Sequence, residues 1–188
     1  MPFRLQARIA FVLFLMAWVE FVARQPDVVL ARIDEFFKMV SAAVTRHDGV
    51  VRSLLNDNAI ATFAGAKEAE NAMAAAQDIQ REFGALEEAW QRDYSFHTAV
   101  AIGLHAGDVV VGCTNGHELI IGDGLSIAER LLHGARDGEI VLSKPIMDAL
   151  NGAGAALEAE ELEALNLSKR EPIPLYGVQL DTALDFTD

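Results

Sequence analysis

The stretch from Ala99 to Leu132 (AVAIGLHAGDVVVGCTNGHELIIGDGLSIAERLL) constrains the fold more tightly than any other part of the chain. It holds three β-like runs separated by glycines. The first ends at Gly103-Leu104-His105-Ala106-Gly107, the second is Asp108-Val109-Val110-Val111-Gly112, and the third is Glu118-Leu119-Ile120-Ile121-Gly122. Apolar, β-branched residues between glycines favour strands. Gly122-Asp123-Gly124 then turns the chain into a segment with apolar positions at 125, 127, 128, 131 and 132, the spacing of a helix with one buried face. Asp123 is expected to cap that helix. This segment is read as the central scaffold.

The rest of the chain supplies elements to surround it. Ile9 to Val19 is an apolar run of eleven residues, preceded by Arg4 and Arg8. It is too short to cross a bilayer, which needs roughly 20 residues. It reads as a fully buried central strand, with a cleaved or membrane-resting segment as the alternative. A helix follows from Pro26, carrying Val28, Val29, Ile33, Phe36, Phe37, Val40 and Val44 at three- and four-residue steps until Asp48-Gly49. Val50–Leu55 and Ile60–Ala64 read as a hairpin joined at Asn56-Asp57-Asn58. Ala66–Phe83 is an alanine-rich helix that Leu86–Trp90 extends. Gly138–Leu142 reads as a strand, Lys144–Leu150 as a short helix, 157–165 as an acidic helix or solvent-facing segment, and Ile173–Leu180 as a closing strand. This order predicts an α+β, ferredoxin-like βαββαβ sandwich with additional strands and its helices packed on one face. No repeat or low-complexity linker interrupts it, so residues 1–188 read as a single domain with its core at about 9–180.

Composition narrows the function. The 188 residues are 52% hydrophobic and 23% charged, which is globular rather than disordered. A net charge of −13 excludes nucleic acid as a general partner, because binding a polyphosphate needs a basic surface. The single cysteine, Cys113, permits no intrachain disulfide and suits a reducing compartment. A cytoplasmic location is expected, with membrane association through residues 9–19 as the alternative.

In order and spacing, PDVVLARIDEFF (26–37), NDNAIATF (56–63), IGLHAGDVVVG (102–112), IGDGLSIAERL (121–131), GEIVLS (138–143) and the closing IPLYGV resemble the catalytic domain of class III nucleotidyl cyclases, the adenylate and guanylate cyclases. The resemblance covers about Ile9 to Val178. It implies head-to-tail dimers with composite sites, and hence a homodimer. It also implies two divalent metals held by two aspartates, one on the first strand and one in the hairpin turn. Two carboxylates let the metals bridge a triphosphate and activate the ribose 3′-hydroxyl.

Residue by residue, most of that chemistry is missing. Asp57 matches the hairpin aspartate. The first-strand position falls on Leu13 without gaps and on Met16 in a shifted register, and no carboxylate lies between Ile9 and Val19. The base-reading positions that the resemblance implies are Ser53 and Leu119, a pair without the polarity that separates adenine from guanine. Arg52 adjoins Ser53, but regular strand alternation would turn it to the other face. The transition-state positions are Ser126, where relatives carry asparagine, and Arg130, which keeps the charge; a spacing of four puts both on one helix face.

Bland roles compete for the survivors. Asp57 between two asparagines is equally a natural turn residue, and Arg130 can pair with Glu129 or Asp123 across the surface. His97 and His105 read as packing or hydrogen-bonding residues, and Cys113 as a small buried one. Two function classes follow. One is a catalytically degenerate cyclase-like domain, a dimerising regulatory or ligand-binding module whose partner is a nucleotide or a signalling protein. It needs no cofactor. The other is an active cyclase, alone or as half of a heterodimer, requiring Mg²⁺ or Mn²⁺.

Overall fold

The computed structural model describes residues 5–180. In chain order the elements are β1 (Leu5–Leu15), α1 (Trp18–Arg24), α2 (Val29–Arg46), β2 (Val50–Leu55), β3 (Asn58–Phe63), α3 (Glu68–Tyr94), β4 (Val100–Thr114) and β5 (His117–Ile121). There follow α4 (Asp123–Leu131), a 3₁₀ turn at Leu132–Gly134, β6 (Glu139–Ser143), α5 (Lys144–Gly152), β7 (Glu160–Leu165) and β8 (Ile173–Gln179). The strands form one sheet in the order β2-β3-β1-β4-β6-β8-β7, with β5 paired to β4. Every neighbouring pair is antiparallel except β4 and β6. The unit β1-α2-β2-β3-α3-β4 is the expected ferredoxin-like βαββαβ core, and β5 to β8 are the additional strands.

β1 sits in the middle because it is apolar on both sides, and a strand of that kind must be covered on both. Ile9, Phe11, Leu13 and Leu15 pack against Phe36, Val40 and Val44 of α2 and Ile79 and Phe83 of α3. The alternate residues Ala10 and Val12 pack with Val109, Val111 and Ala128 of α4. The expectation of helices on one face is therefore corrected: α2, α3 and α5 cover one face and α4 the other. The uninterrupted apolar run left β1 no side to turn toward water.

Three more local expectations change. The first two β-like runs are one strand, β4. Its pairing with β1 shifts between Ala7↔Val109 and Ile9↔Ala106, so the Gly107-Asp108 pair is accommodated as a bulge. The apolar run also does not stay extended to Val19. Ala17 takes a left-handed φ of 55° and the chain becomes α1, whose Trp18 and Phe21 are buried. Phe21 lies parallel to Trp90 at 5.9 Å and against Phe96 at 4.8 Å. Residues 160–165 are an edge strand, not a helix, with the carboxylates of Glu160 and Glu161 exposed; charges on an edge discourage pairing with another chain. Arg4 and residues 181–188, parts of the expected single domain, lie outside the described residues. Among the described residues no helix is long and apolar enough to cross a membrane.

α4 meets β4 without intervening side chains. A Cβ on Gly122 would stand 2.3 Å from the Asp108 carbonyl oxygen, and one on Gly124 2.9 Å from that of Gly107. These glycines fix how the helix sits on the sheet. Asp123 does not cap α4. The N-cap is Gly122, and Asp123 pairs with Arg170 instead. Cys113, expected to be buried, is exposed near the end of β4.

Candidate functional site

The β2–β3 turn brings Asp57 to the end of β1. Asn56 adopts φ 55°, which asparagine tolerates, and the turn closes with Leu55 paired to Asn58. The Leu15 amide donates to the Asp57 carbonyl at 2.8 Å, and the Asn58 side-chain amide donates to Asp57 Oδ1 at 2.8 Å. Asp57 is only 8% exposed. Met16, the residue after β1, bonds on the other side, donating its amide to the Ala99 carbonyl and accepting from Thr98 Oγ1. Leu13 does not face the turn. Leu13 pairs with Ala59 and Ile102, is fully buried, and belongs to the cluster under α2 and α3. The gap-free placement on Leu13 thus lies in the core under α2 and α3, and the shifted placement on Met16 lies one residue beyond the Leu15–Asp57 bond. Both are apolar. Among the described residues no three His, Cys, Asp or Glu side chains are grouped to hold a metal ion.

Ser53 pairs with Ile60 and faces α4. Strand alternation misplaces its neighbour. The β2–β3 register shifts between Val51↔Ala61 and Ser53↔Ile60, which makes Arg52 the extra residue of a β-bulge. Its guanidinium Nε donates to Thr62 Oγ1 at 2.9 Å and Nη1 reaches Glu118 Oε2 of β5 at 3.3 Å. Thr62 lies one pleat repeat from Ile60, so Arg52 is on the α4 face after all. The immediate neighbours of the two base-reading positions, Ser53 and Leu119, are joined to each other in this way. Leu119 itself pairs with Gly112 and is 42% exposed.

On α4, the buried residues are Gly124, Ile127, Ala128 and Leu131. Ser126 and Arg130 lie together on its exposed side, as their spacing predicts. Arg130 makes no ion pair among the described residues, and neither Glu129 nor Asp123 is its partner. Instead Glu129, Leu132 and His133 point toward the β2–β3 hairpin. With Ser53, Asn56 and Asn58 they line a groove of about 490 Å³ whose apolar wall includes Val12 and Ile60. Sequence reasoning named Glu129 only as a partner for Arg130 and did not name His133, because nothing in α4's periodicity shows which flank meets the hairpin.

The two histidines of the strand-like stretches have hydrogen-bonded partners. His105 Nδ1 lies 2.8 Å from Ser143 Oγ in the interior, where burial lowers its pKa and Asp123 only partly opposes this. His97 Nδ1 lies 3.0 Å from Glu87 on the surface.

No family model matches the chain. Adenylate cyclase 1 of Rhizobium meliloti (strain 1021) is 28% identical over 116 residues, 57% of this chain but only 17% of that longer protein. The crystal structure of the adenylyl cyclase CyaB from P. aeruginosa is similar at a TM-score of 0.84 with 16% identity, covering 97% of this chain and 98% of that one. A non-canonical dimeric guanylyl cyclase domain of the RhoGC fusion protein from the aquatic fungus Blastocladiella emersonii gives 0.74 with 18% identity over 95% and 97%. At such identities the structural likeness establishes the fold.

Proposed function

We propose that this chain, which has the fold of the adenylyl and guanylyl cyclase domains, is a catalytically degenerate member that acts as a dimerising, ligand-binding or regulatory module. One observation carries the reading: the first-strand position falls on Met16 in one register and on the buried Leu13 in the other, and neither gives Asp57 a second carboxylate. Two divalent cations on a triphosphate need several hard oxygen ligands. A lone carboxylate already accepting from Asn58 does not supply them, so the residues present do not fit the metal pair and no step is routed through it. Ser53 and Leu119 add no polar pair to select a base, and Ser126 is shorter than the asparagine it stands for. Of the base-reading and transition-state positions, Arg130 alone keeps the family's residue.

Dimerisation, though not its geometry, is supported by the non-canonical dimeric RhoGC domain and by the exposed apolar residues Leu55, Leu119 and Ile121 on the two hairpins. A head-to-tail homodimer is the assembly proposed, and the cytoplasm its compartment. The test is direct. Purified protein incubated with ATP or GTP and Mn²⁺ forms no cyclic AMP or cyclic GMP, and sedimentation shows a dimer. Metal-dependent product above a no-enzyme control overturns the loss of catalysis.

A further inference from the structure

A cavity of about 570 Å³ opens at the outer flank of α3, past the closed core around β1, where β4 and β6 begin and β8 finishes. Its size falls within the range of small-molecule pockets, and its lining contains none of the positions that the resemblance marks. The buried Phe83 and Val100 form its apolar floor. Beside them Gln80 is only 6% exposed, and its Nε2 donates to the Val100 carbonyl at 2.7 Å. A carbonyl can only accept, so the amide is fixed with its oxygen turned from β4. That oxygen accepts from no described residue and is not sealed from solvent, so it opens into the cavity. Gly84 and Glu88 follow at one-turn steps along α3, which sets Gln80 and Glu88 roughly 12 Å apart on one stripe. Glycine weakens a helix interior. Gly122 and Gly124 sit where backbone presses on them, but a Cβ on Gly84 would meet nothing within 4 Å. The missing side chain leaves the middle of the cavity open. Its mouth is acidic: Glu88 and Asp137 are exposed there and make no ion pair among the described residues. The neighbouring cations are committed, Arg81 to Asp78, Arg92 to Asp93, and Arg136 to Glu139 and Glu160. Glu87, also in the lining, faces His97.

We infer that this cavity binds a small arylalkylamine with a hydrogen-bond donor at the end of its ring. The sequence of groups in the lining sets the sequence in the ligand. A phenol-like donor meets the Gln80 oxygen, the flat ring lies on Phe83 and Val100 in the space over Gly84, and the ammonium rests between Glu88 and Asp137. The site shares no side chain with the marked positions, so it stands whether or not catalysis is lost.

Calorimetry of the full chain without metal tests this with compounds built on one ring. They are tyramine, phenethylamine (no phenol hydroxyl), tyrosol (an alcohol in place of the ammonium) and 4-hydroxyphenylacetate (a carboxylate there). Tyramine is expected to bind tightest, phenethylamine about threefold weaker and tyrosol about tenfold weaker, with no binding of 4-hydroxyphenylacetate. Glu88→Gln combined with Asp137→Asn brings tyramine down to the affinity of tyrosol and leaves tyrosol unchanged. Gly84→Leu fills the cavity and removes binding of every compound. Leucine suits a helix better than glycine, so the thermal melt of that variant is not lowered. Tyramine binding that survives Gly84→Leu is attraction to the acidic surface at large, and overturns the inference. So does a different order of affinity, a ladder unmoved by the carboxylate variants, or no binding by any compound. Should Gly84→Leu melt early, the carboxylate variants decide alone. Cyclic nucleotide formation is scored separately and bears only on the proposed loss of catalysis.

Discussion

On the face of the sheet covered by α2 and α3, the side chains of β1 disappear into a continuous core. Phe11, Leu13, Phe36, Ile79 and Trp90 are all fully buried. An ionic clamp then ties the two helices at their rim, where Asp78 of α3 receives Arg46 and the His47 ring from the end of α2. On the face covered by α4 the apolar cluster is small, glycines bring helix and strand into backbone contact, and a polar groove stays open beside Ser53. One face holds the domain together. The other keeps accessible chemistry, and every position the resemblance marks except Leu13 and Asp57 is at least partly exposed there.

The sharpest way to break this comparison is to place the same charge on either side of it. Leu13→Asp buries a carboxylate among aliphatic and aromatic side chains with no partner, and is expected to cost about 4 kcal/mol or more. Met16→Asp, at the half-buried strand end beside the hairpin turn, costs under about 1 kcal/mol. Urea unfolding of the two variants measures both. Equal losses would mean that the strand's faces are not sealed differently.

Gly122→Ala probes the second face at its tightest point. The new Cβ meets the Asp108 carbonyl oxygen at 2.3 Å, a backbone atom that cannot rotate away. A loss of about 1–3 kcal/mol is expected, as for other overpacked contacts. Thermal denaturation that leaves the melting temperature unchanged would show that α4 slides freely on β4.

These contrasts explain what could be read from the chain beforehand. The apolar run at 9–15, the helix at 29–46 and the hairpin around Asn56-Asp57 announce themselves through period and turn chemistry. The two-sided covering of β1 was implicit in that run, but the α4 helix that covers its second face lies more than a hundred residues away, beyond any local signal. Arg52 was misplaced because a β-bulge leaves no trace in an alternating pattern, and one extra residue turns a side chain to the other face. Leu13 and Met16 were separable only once the Leu15–Asp57 hydrogen bond fixed where the strand ends.

Acid should loosen the first face at its rim. Hydrogen bonds from the His47 ring, Arg46 and Arg81 hold the Asp78 carboxyl at about 2, below its ordinary 3.8. A depressed carboxylate contributes stability that is present above its unfolded value and is lost as pH falls through the folded one, here from roughly pH 4 to pH 2. The contribution is on the order of 1 kcal/mol after allowing for solvent screening. Asp78→Asn should flatten the melting temperature across that window relative to the parent; identical pH profiles would remove the clamp from the comparison.

The smallest effect belongs to the tie across the α4 face. Arg52 and Glu118 join β2 to β5 over 66 residues of sequence, yet at 3.3 Å and with the Glu118 side chain 44% exposed their attraction is weak. A double-mutant cycle with Arg52→Ala and Glu118→Ala should give a coupling of about 0.5 kcal/mol. Arg52→Ala alone should cost more than Glu118→Ala, because it also strands the Thr62 hydroxyl that the guanidinium holds at 2.9 Å. Added salt should shrink the coupling without touching that difference, since only the ion pair is screened. A coupling as large as the clamp between α2 and α3 would make the α4 face as firmly held as the other, and the distinction between a sealed face and an accessible one would fail.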